Sequence, residues 1–381
     1  MANLDLTGAQ VLGPEGLHGD RLSIAGGCIV AESVGRPFDL SGFLVLPGIV
    51  DPHGDAFERH VAPRRGAMKQ MEEGLLATEA EIAANGISTA VLAQFVSWEG
   101  GLRGLDFASE VFNALRQVLP LAATDLRSQL RFETHLLDLY DDLPARIAGW
   151  GVGYVVFNDH LPHDRLAEGR RPPRLTGQAL KAGRNPDAHF GMLLELHAKG
   201  AAVPAALDRL CEALARQGVR MGSHDDHTAE DRAVWHARGV HIAEFPETCA
   251  AAEAAQAAGD AIVLGAPNLV RGGSHKGNVS ALDLVSMGLC DALASDYHYP
   301  SLRRAALMLA DSGVLDLADA WALVSSGPAR VLGLRDRGSL TPGLRADAVI
   351  LDARSRRVAG TIAAGRFSYL SGDLAERFVS A

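Results

Sequence analysis

Short apolar runs alternate with longer segments of helical composition through most of this sequence. The apolar runs lie at 44–50, 87–95, 130–136, 153–157, 219–222, 241–243, 261–264 and 292–295. Segments rich in Ala, Leu, Glu and Arg, such as 71–84, 201–217 and 301–310, lie between them. A short continuous apolar run is typical of a strand buried on both faces, whereas a helix needs a longer segment. Eight strand–helix units in this order predict an α/β fold, a TIM-like (β/α)8 barrel over residues 46–333.

A doubly wound open sheet is the alternative, but no GxGxxG motif follows an early strand.

The two ends of the chain show a different pattern, in which short strands alternate with turns that contain Gly or Pro. Neither end carries enough apolar residues to fold alone. We therefore predict that residues 1–45 and 334–381 together form one small β-sandwich beside the barrel.

Composition restricts the function further. The 381 residues carry a formal net charge of -10, which argues against a nucleic-acid binder. The start of the chain shows no secretory signal, and no apolar stretch approaches the roughly 20 residues needed to span a bilayer. The four cysteines form no CxxC pair, which suits a reducing, cytoplasmic setting. These features predict a cytoplasmic protein without a membrane partner.

Residues that commonly bind metals recur where the predicted strands end. His53 and Asp55 follow the first run, and alternation along a strand points both to the same side. Four other strand ends carry similar groups; these are Glu133 with His135, His224 with His227, Glu244 with Glu247, and Asp296 with His298. Barrel enzymes place their chemistry at this rim, and burying so many ionisable groups is costly unless cations compensate. The pattern predicts a metal site, against the alternative of unrelated surface residues.

Three basic segments lie at the same rim. Between strands seven and eight, the segment 265–278 combines glycines with the donors Arg271, His275, Lys276 and Asn278, which favours a phosphate site over a flexible surface loop. Arg59 follows strand one, and a long insertion at 160–185 carries several arginines. A loop of that length is usually functional or disordered. Cations at the active rim of an acidic protein indicate a strongly anionic substrate.

The chain as a whole resembles a known group of enzymes. The segment 47–53, PGIVDPH, after an N-terminal β segment is similar to the amidohydrolase superfamily, as is the C-terminal segment from Thr341 to Val349. The strand-end motifs HGD, FETH, GSHDDHT, AEFPET, RGGSHKGN and ASDY resemble one family within it. That family is the α-D-ribose 1-methylphosphonate 5-triphosphate diphosphatase of the carbon–phosphorus lyase pathway. The resemblance implies hydrolysis of a ribosyl triphosphate to the 5-phosphate and pyrophosphate.

The resemblance also implies roles for individual residues. Glu133 takes the place of the bridging metal ligand, His224 that of the strand-five ligand, and Asp296 that of the strand-eight carboxylate. Two positions depart from the superfamily pattern, because Asp55 and Glu244 stand where histidines are usual. Carboxylates favour harder cations. We therefore expect one or two divalent ions, with zinc favoured and manganese or magnesium as alternatives, held by His53, Asp55, Glu133, His224, Glu244 and Asp296.

In the resulting hypothesis, Asp296 is the catalytic residue that takes up the proton of the attacking water. His227, His275 and Lys276, or the basic segments, bind the polyphosphate. His135, His298 and Tyr299 are further candidates for substrate contact or for support of the ligands.

Two other functions stay open at the level of sequence. One keeps the barrel and the metal but changes the bond, as in a deacetylase or deaminase acting on a C–N bond of an anionic substrate. The other is a non-catalytic scaffold that has lost its metal. The expected partner is a small-molecule ribosyl triphosphate; a homo-oligomer and association with other enzymes of the phosphonate pathway are further hypotheses.

Overall fold

Eight parallel strands form the central sheet of the protein. A computed structural model describes residues 3–63, 70–272 and 279–380. The strands are neighbours in chain order, and we number them barrel strands one to eight. They are Ile49–Gly54, Ile87–Val96, Asp125–Glu133, Tyr154–Asn158, Arg220–His224, Ile242–Glu244, Ala261–Gly265 and Ala292–Ala294. Gly54 forms a parallel bridge to Asp296, which brings the first and last strands together. The predicted TIM-like barrel is confirmed.

Helices connect consecutive barrel strands, and further helices follow the eighth strand. They are Glu58–Val61, Met71–Ala84, Leu105–Val118, Leu143–Trp150, His163–Ala167, Leu175–Lys181, Pro186–Ala198, Val203–Arg216, Ala229–Ala237, Cys249–Ala258, Ala266–Arg271, Ala281–Ser286, Ser301–Asp311, Leu317–Ala322, Ser326–Val331 and Gly372–Ser380. Short 3-10 turns occur at Gly101–Arg103, Leu137–Leu139 and Gly200–Ala202. Within the described ranges, no helix has the length and apolar character needed to cross a bilayer.

The inside of the barrel is apolar over part of its length. Val50, Val91, Val156, Ile242 and Val263 come from five different strands and share one buried cluster. Their burial stabilises the closed sheet, because each aliphatic side chain removed from water contributes about 1.5–3 kcal/mol. The polar groups of the interior lie further along the same strands, towards their carboxyl ends. The sequence thus separates a packing layer from a layer that can carry chemistry.

Both ends of the chain contribute to two further sheets. The six-stranded sheet contains, in order, Arg366–Leu370, Val358–Ala363, Ala348–Asp352, Phe43–Pro47, Gln10–Gly13 and Gly16–His18. The four-stranded sheet contains Cys28–Val30, Leu22–Ala25, Leu4–Thr7 and Pro37–Asp39. Leu6, Ile24, Val45 and Ile350 belong to one buried cluster that the two sheets share. N- and C-terminal segments therefore depend on each other for their core.

Salt bridges attach the C-terminal segment to the barrel. Asp125, the first residue of barrel strand three, pairs with Arg337 at 2.5 Å and with Arg345 at 3.2 Å. Arg337 also donates to Thr89 of strand two at 2.8 Å. Because the side chains of Asp125 and Arg337 are largely buried, losing either one would leave an uncompensated charge.

The apolar run at 43–50 is divided between two sheets. We predicted one barrel strand at 44–50, and this prediction is wrong: Phe43–Pro47 is the fourth strand of the six-stranded sheet, and barrel strand one begins at Ile49. Gly48 lies at the crossing, and a Cβ there would come within 2.4 Å of the Ser88 hydroxyl oxygen. The close approach of Ser88 explains the glycine, which lets the chain change sheets without a loop.

The insertion at 160–185 is folded. We expected a long loop, but the structure contains the helices His163–Ala167 and Leu175–Lys181, followed by Pro186–Ala198. Leu166 and Leu175 pack with Trp98 in a small buried cluster. Helices this short are unstable alone, so packing against the barrel rim must hold them.

Candidate active site

His53 and Glu244 form a fully buried polar pair at the carboxyl ends of the strands. Both side chains are 0% exposed, and His53 Nδ1 lies 2.8 Å from Glu244 Oε2. The other oxygen of Glu244 accepts hydrogen bonds from Gln129 Nε2 at 2.8 Å and Tyr154 Oη at 2.6 Å. These two bonds orient the carboxylate so that Oε2 faces the imidazole.

Each member of this pair favours the charged form of the other. Burial alone would raise the pKa of Glu244, but the nearby His53, together with His224 and the hydrogen bond from Tyr154, outweighs it and the pKa falls to about 2. Burial alone would lower the pKa of His53, yet the charge of Glu244 raises it. Neither ring nitrogen of His53, nor Glu244 Oε2, has a partner with hydrogen-bond geometry within the described chain.

His224 joins this pair from the end of barrel strand five. Ligand atoms of His53, His224 and Glu244 all lie within 4.8 Å of one another. Burial, together with the nearby Arg131, lowers the pKa of His224 to about 4. Its imidazole is therefore neutral at ordinary pH, and this is the form that binds a metal. We call these three residues the central group.

A buried arginine lies beside the central group. Arg131 Nη2 donates to His224 Nε2 at 2.8 Å and to Asn158 Oδ1 at 3.1 Å. Its Nη1 lies 3.7 Å from Asp55 Oδ2, and its guanidinium stacks 3.9 Å from the centroid of Phe95. An arginine cannot lose its charge in a protein. The rim therefore holds a permanent positive charge next to three residues of metal-ligand type.

Glu133 is buried but contacts a different set of residues. Its Oε1 lies 2.5 Å from His160 Nδ1, while its Oε2 accepts from the His160 backbone at 3.1 Å and from Trp98 Nε1 at 3.2 Å. His160 Nε2 lies 3.8 Å from Asp225 Oδ2. Burial opposes protonation of His160, but Asp225 and Glu133 raise its pKa to about 9. A positively charged His160 thus links Glu133 to the loop that follows His224.

Asp296 enters the site from the end of barrel strand eight. Its backbone N–H donates to His53 O at 3.0 Å, and its carbonyl accepts from Asp55 N at 2.9 Å. Burial, followed by the charge of Asp55, raises the pKa of Asp296 to about 6. These contacts place the backbone of Asp296 against the backbone of His53 and Asp55, beside the end of barrel strand one.

Three residues at the strand ends have left-handed backbone conformations. Asp225, Phe245 and Asp296 have φ of 61°, 56° and 53°, respectively. Such conformations cost about 1–3 kcal/mol each for a residue other than glycine, and they persist where surrounding structure imposes them. Asp225 and Phe245 follow a barrel strand directly, and Asp296 lies two residues after the last residue of one. The backbone is therefore strained where side chains turn into the site.

The predicted substrate-binding residues lie in several different environments. Arg59 pairs with Glu81, Arg271 donates to Tyr297 Oη, and the exposed His227 lies 3.5 Å from Glu247. Tyr299 is buried, and its ring lies 5.9 Å from the Arg59 guanidinium; His298 is partly exposed. Arg271 ends the helix Ala266–Arg271, so the predicted loop 265–278 begins as a helix. His275, Lys276 and Asn278 lie outside the described residues. The phosphate-binding role of all these residues stays a prediction.

Several residues of the site were missed from the sequence. Arg131 precedes Glu133 by two positions on strand three, so strand alternation could have placed both on the inner face. Asn158 ends strand four and His160 follows it; no site residue was predicted on this strand. Asp225 was seen beside His224 but was not selected. Nothing in the sequence indicates that Trp98 and Tyr154 contact the site carboxylates.

The central group has the properties of a cation site. Buried polar atoms without hydrogen bonds are costly, and here both His53 nitrogens, His224 Nδ1 and Glu244 Oε2 are such atoms among the described residues. A divalent cation bound by one nitrogen of each imidazole and by Glu244 Oε2 would give some of these atoms a partner and offset the carboxylate charge. Two imidazoles and a carboxylate suit zinc and also harder divalent ions. The residues present therefore fit a metal.

The fold and this donor set define a class. The chain belongs to the amidohydrolase family, whose sequence model matches residues 170–367. Alpha-D-ribose 1-methylphosphonate 5-triphosphate diphosphatase from Escherichia coli strain K12 is 32% identical over 343 residues, which cover 86% of this chain and 89% of that protein. The chain is thus a hydrolase from a typically metal-dependent family.

Solved structures agree on the fold. A Xaa-Pro dipeptidase with bound methionine superimposes with a TM-score of 0.65 at 13% identity, covering 97% of this chain and 100% of that one. Beta-aspartyl dipeptidase from Fervidobacterium islandicum AW-1 gives 0.59 at 16% identity, covering 98% of each chain. At this level of identity the similarity concerns the architecture alone.

Proposed function

We propose that the protein hydrolyses α-D-ribose 1-methylphosphonate 5-triphosphate to the 5-phosphate and pyrophosphate. The activity for which the Escherichia coli relative is named supports this substrate. The observation that carries the proposal is Arg131, a buried guanidinium beside the central group. This permanent positive charge, which also pairs with Asp55, attracts a negatively charged phosphoryl group but gains little from a neutral amide.

His53, His224 and Glu244 would hold one divalent cation, with Asp55, Glu133 and Asp296 as the remaining candidate ligands. When bound, such a cation supplies Lewis-acid stabilisation of phosphoryl oxygens and lowers the pKa of a bound water. Tyr154 and Gln129 keep the Glu244 carboxylate oriented towards His53. This support fixes the site before substrate arrives.

The chain's own residues account for the other requirements of hydrolysis. Asp296, with a pKa of about 6, can accept the proton of the attacking water near neutral pH. Arg131 stabilises negative charge that develops on the phosphoryl oxygens. Phe95 and Asn158 hold its guanidinium in one orientation, so little reorganisation is needed during the reaction.

Phosphorus-31 NMR of full-length protein with the ribosyl triphosphate and added Zn²⁺, Mn²⁺ or Mg²⁺ tests the proposal. We expect equal amounts of pyrophosphate and ribosyl 5-phosphate. Stepwise release of orthophosphate would refute the assigned bond. Ammonia or carboxylate release from anionic amides, without triphosphate cleavage, would instead favour C–N hydrolysis. Running the reaction in ¹⁸O-water identifies the attacked phosphorus, because only the product containing it gains the label.

A further inference from the structure

A second group of potential ligands lies at the rim, outside the central group. We call it the rim cluster; it comprises His135, Asp159, His163 and His197. His135 follows barrel strand three and Asp159 follows strand four, while His163 begins the helix His163–Ala167 and His197 lies near the end of Pro186–Ala198. Ligand atoms of His135, Asp159 and His163 lie within 4.8 Å of one another. The cluster shares no residue with the central group.

The distances in the rim cluster are those of side chains around a common ion. His163 Nε2 is 3.1 and 3.0 Å from the two oxygens of Asp159, and His135 Nδ1 is 3.5 Å from Asp159 Oδ1. Ligands at the usual zinc distances of about 2.0–2.2 Å are separated by about 3.3 Å in a tetrahedral site. The observed separations bracket this value.

The second ring nitrogen of His163 is also occupied. His163 Nδ1 lies 2.9 Å from His197 Nδ1, and the two ring centroids are 5.1 Å apart. Metal-binding histidines usually donate their other ring N–H to a neighbouring group, which fixes the tautomer. In the tautomer whose Nδ1 donates to His197, the Nε2 of His163 carries the lone pair and faces Asp159.

A simple ion pair between His163 and Asp159 is the competing interpretation. It accounts for the contact between these two residues but leaves out His135, which is 4% exposed and whose Nδ1 lies 3.3 Å from Thr134 Oγ1 and 3.5 Å from the same carboxylate. Two imidazoles and one carboxylate are a common catalytic-type zinc set, in which water takes the fourth position. Asp159 and His163 are 42% and 38% exposed, so water can reach that position.

We propose that His135, Asp159 and His163 bind a second divalent transition-metal ion of the zinc class, with His197 orienting His163. The ion would join the strand ends to the helices of the 160–185 insertion. Asp159 adjoins His160, which contacts Glu133 and Asp225. Metal at the rim cluster therefore holds the segment that positions His160. This inference makes no assumption about the substrate.

Metal counting on the full-length protein tests the proposal. Stripped protein is dialysed against Zn²⁺ and analysed by elemental mass spectrometry. His163→Ala and Asp159→Asn should each retain about one equivalent of zinc fewer than the parent. His18→Ala is the matched control, because His18 also contacts a carboxylate, Asp20 at 3.1 Å, but belongs to no such group. The control should lose no zinc.

A His53→Ala background separates the two sites. Protein lacking His53 should still bind Co²⁺ with the visible absorption bands of a low-coordinate site, and adding His163→Ala should remove those bands. Circular dichroism and thermal melting confirm that each variant is folded. Equal zinc content in parent and in folded His163→Ala and Asp159→Asn would overturn the proposal. Absence of any Co²⁺ bands in the folded His53→Ala protein would do the same.

Discussion

Replacing Arg131 by methionine should destabilise the metal-free protein and impair catalysis. The guanidinium lies 3.7 Å from Asp55, and unit charges at that distance interact by about 4–5 kcal/mol at an effective dielectric constant of about 20. Stacking on Phe95 at 3.9 Å adds about 1 kcal/mol. Methionine fills much of the same volume, so we expect a loss of about 3–5 kcal/mol in the free energy of unfolding, as for other broken buried pairs.

Urea unfolding in chelator, followed by circular dichroism, measures this loss. Adding Zn²⁺ should restore part of it, because a bound cation compensates the carboxylates that Arg131 no longer faces. Under the proposed function, kcat/KM for the triphosphate should fall by about 10²–10³, as when one charge-stabilising donor is removed. The kcat/KM of Arg131→Lys should lie between the values of the parent and of Arg131→Met, since lysine keeps the charge without the planar fork.

Arg103→Met is the matched control for this experiment. Arg103 also stacks on Phe95, at 4.1 Å, but its carboxylate partner is the partly exposed Glu99 at 3.1 Å. Its loss should cost about 1 kcal/mol or less and leave kcat/KM within a few-fold of the parent. If Arg131→Met and Arg103→Met had equal stabilities and equal kinetics, the electrostatic reasoning about Arg131 would be wrong.

Three further predictions concern single side chains. Asp296→Asn should lower kcat for triphosphate hydrolysis by about 10²–10⁴ while leaving the thermal melting temperature nearly unchanged. Tyr154→Phe removes the 2.6 Å hydrogen bond to Glu244 and should weaken metal binding about 10-fold, measured by competition with a chromophoric chelator. Burial would raise the pKa of Asp125, but the charges of Arg127 and Arg337 lower this pKa. The ionised Asp125 therefore stabilises the fold above the ordinary carboxyl pKa, and this contribution is lost as the pH falls through the pKa of Asp125 in the folded protein. Asp125→Asn should therefore cost about 3 kcal/mol at about pH 7 and much less at about pH 3, as measured by urea unfolding.

Each of these predictions has an outcome that contradicts it. Normal turnover by folded Asp296→Asn would remove that residue from the reaction. Tyr140→Phe, which loses a 2.7 Å hydrogen bond to Thr134 O but does not touch Glu244, controls for a general loss of stability. Equal metal affinity in the two tyrosine variants would mean that Tyr154 does not support Glu244. If Asp125→Asn lowered the free energy of unfolding equally at both pH values, the loss would be due to packing and not to charge.

The barrel could be predicted because its strands are buried on both faces. Runs such as 87–95 and 261–264 are largely apolar, and the structure has strands Ile87–Val96 and Ala261–Gly265 there. The helix predicted at 71–84 is also present as Met71–Ala84. In these elements local pattern and tertiary burial agree, so the sequence alone is sufficient.

The division of the run 43–50 could not be predicted in this way. Phe43–Pro47 and Ile49–Gly54 are buried along their whole length, so hydrophobicity does not distinguish a strand of the six-stranded sheet from a barrel strand. Only the partners differ: residues 348–352 in one case and barrel strand two in the other. That choice depends on contacts distant in the sequence.

The helices of the 160–185 insertion could not be predicted for a related reason. Arginines, prolines and glycines dominate this segment, and its two helices have only five and seven residues. Their stability comes from Leu166 and Leu175 packing in the cluster that contains Trp98. Propensity summed over so few residues carries little information.

Part of the candidate site could be predicted from the sequence for a simple geometrical reason. Parallel strands end at one rim, so His53, His224 and Glu244 could be expected to meet even though they are far apart in sequence. The grouping of Glu133 with His160 could not be expected, because it depends on how the backbone turns after strand four. Arg131 was missed because a charge inside a strand is ordinarily assigned to an exposed face.

The interleaving of the chain ends in the six-stranded sheet has a consequence for biosynthesis. Phe43–Pro47 is paired on one side with Ala348–Asp352. During translation this pairing cannot form until a segment some 300 residues further along the chain has been synthesised. Until then its hydrogen-bonding edge is open to other chains. Ribosome-bound chains arrested before residue 348 should therefore be more sensitive to protease within residues 1–47 than released protein. Equal protection of that region in arrested and released chains would show that another part of the nascent chain covers it first.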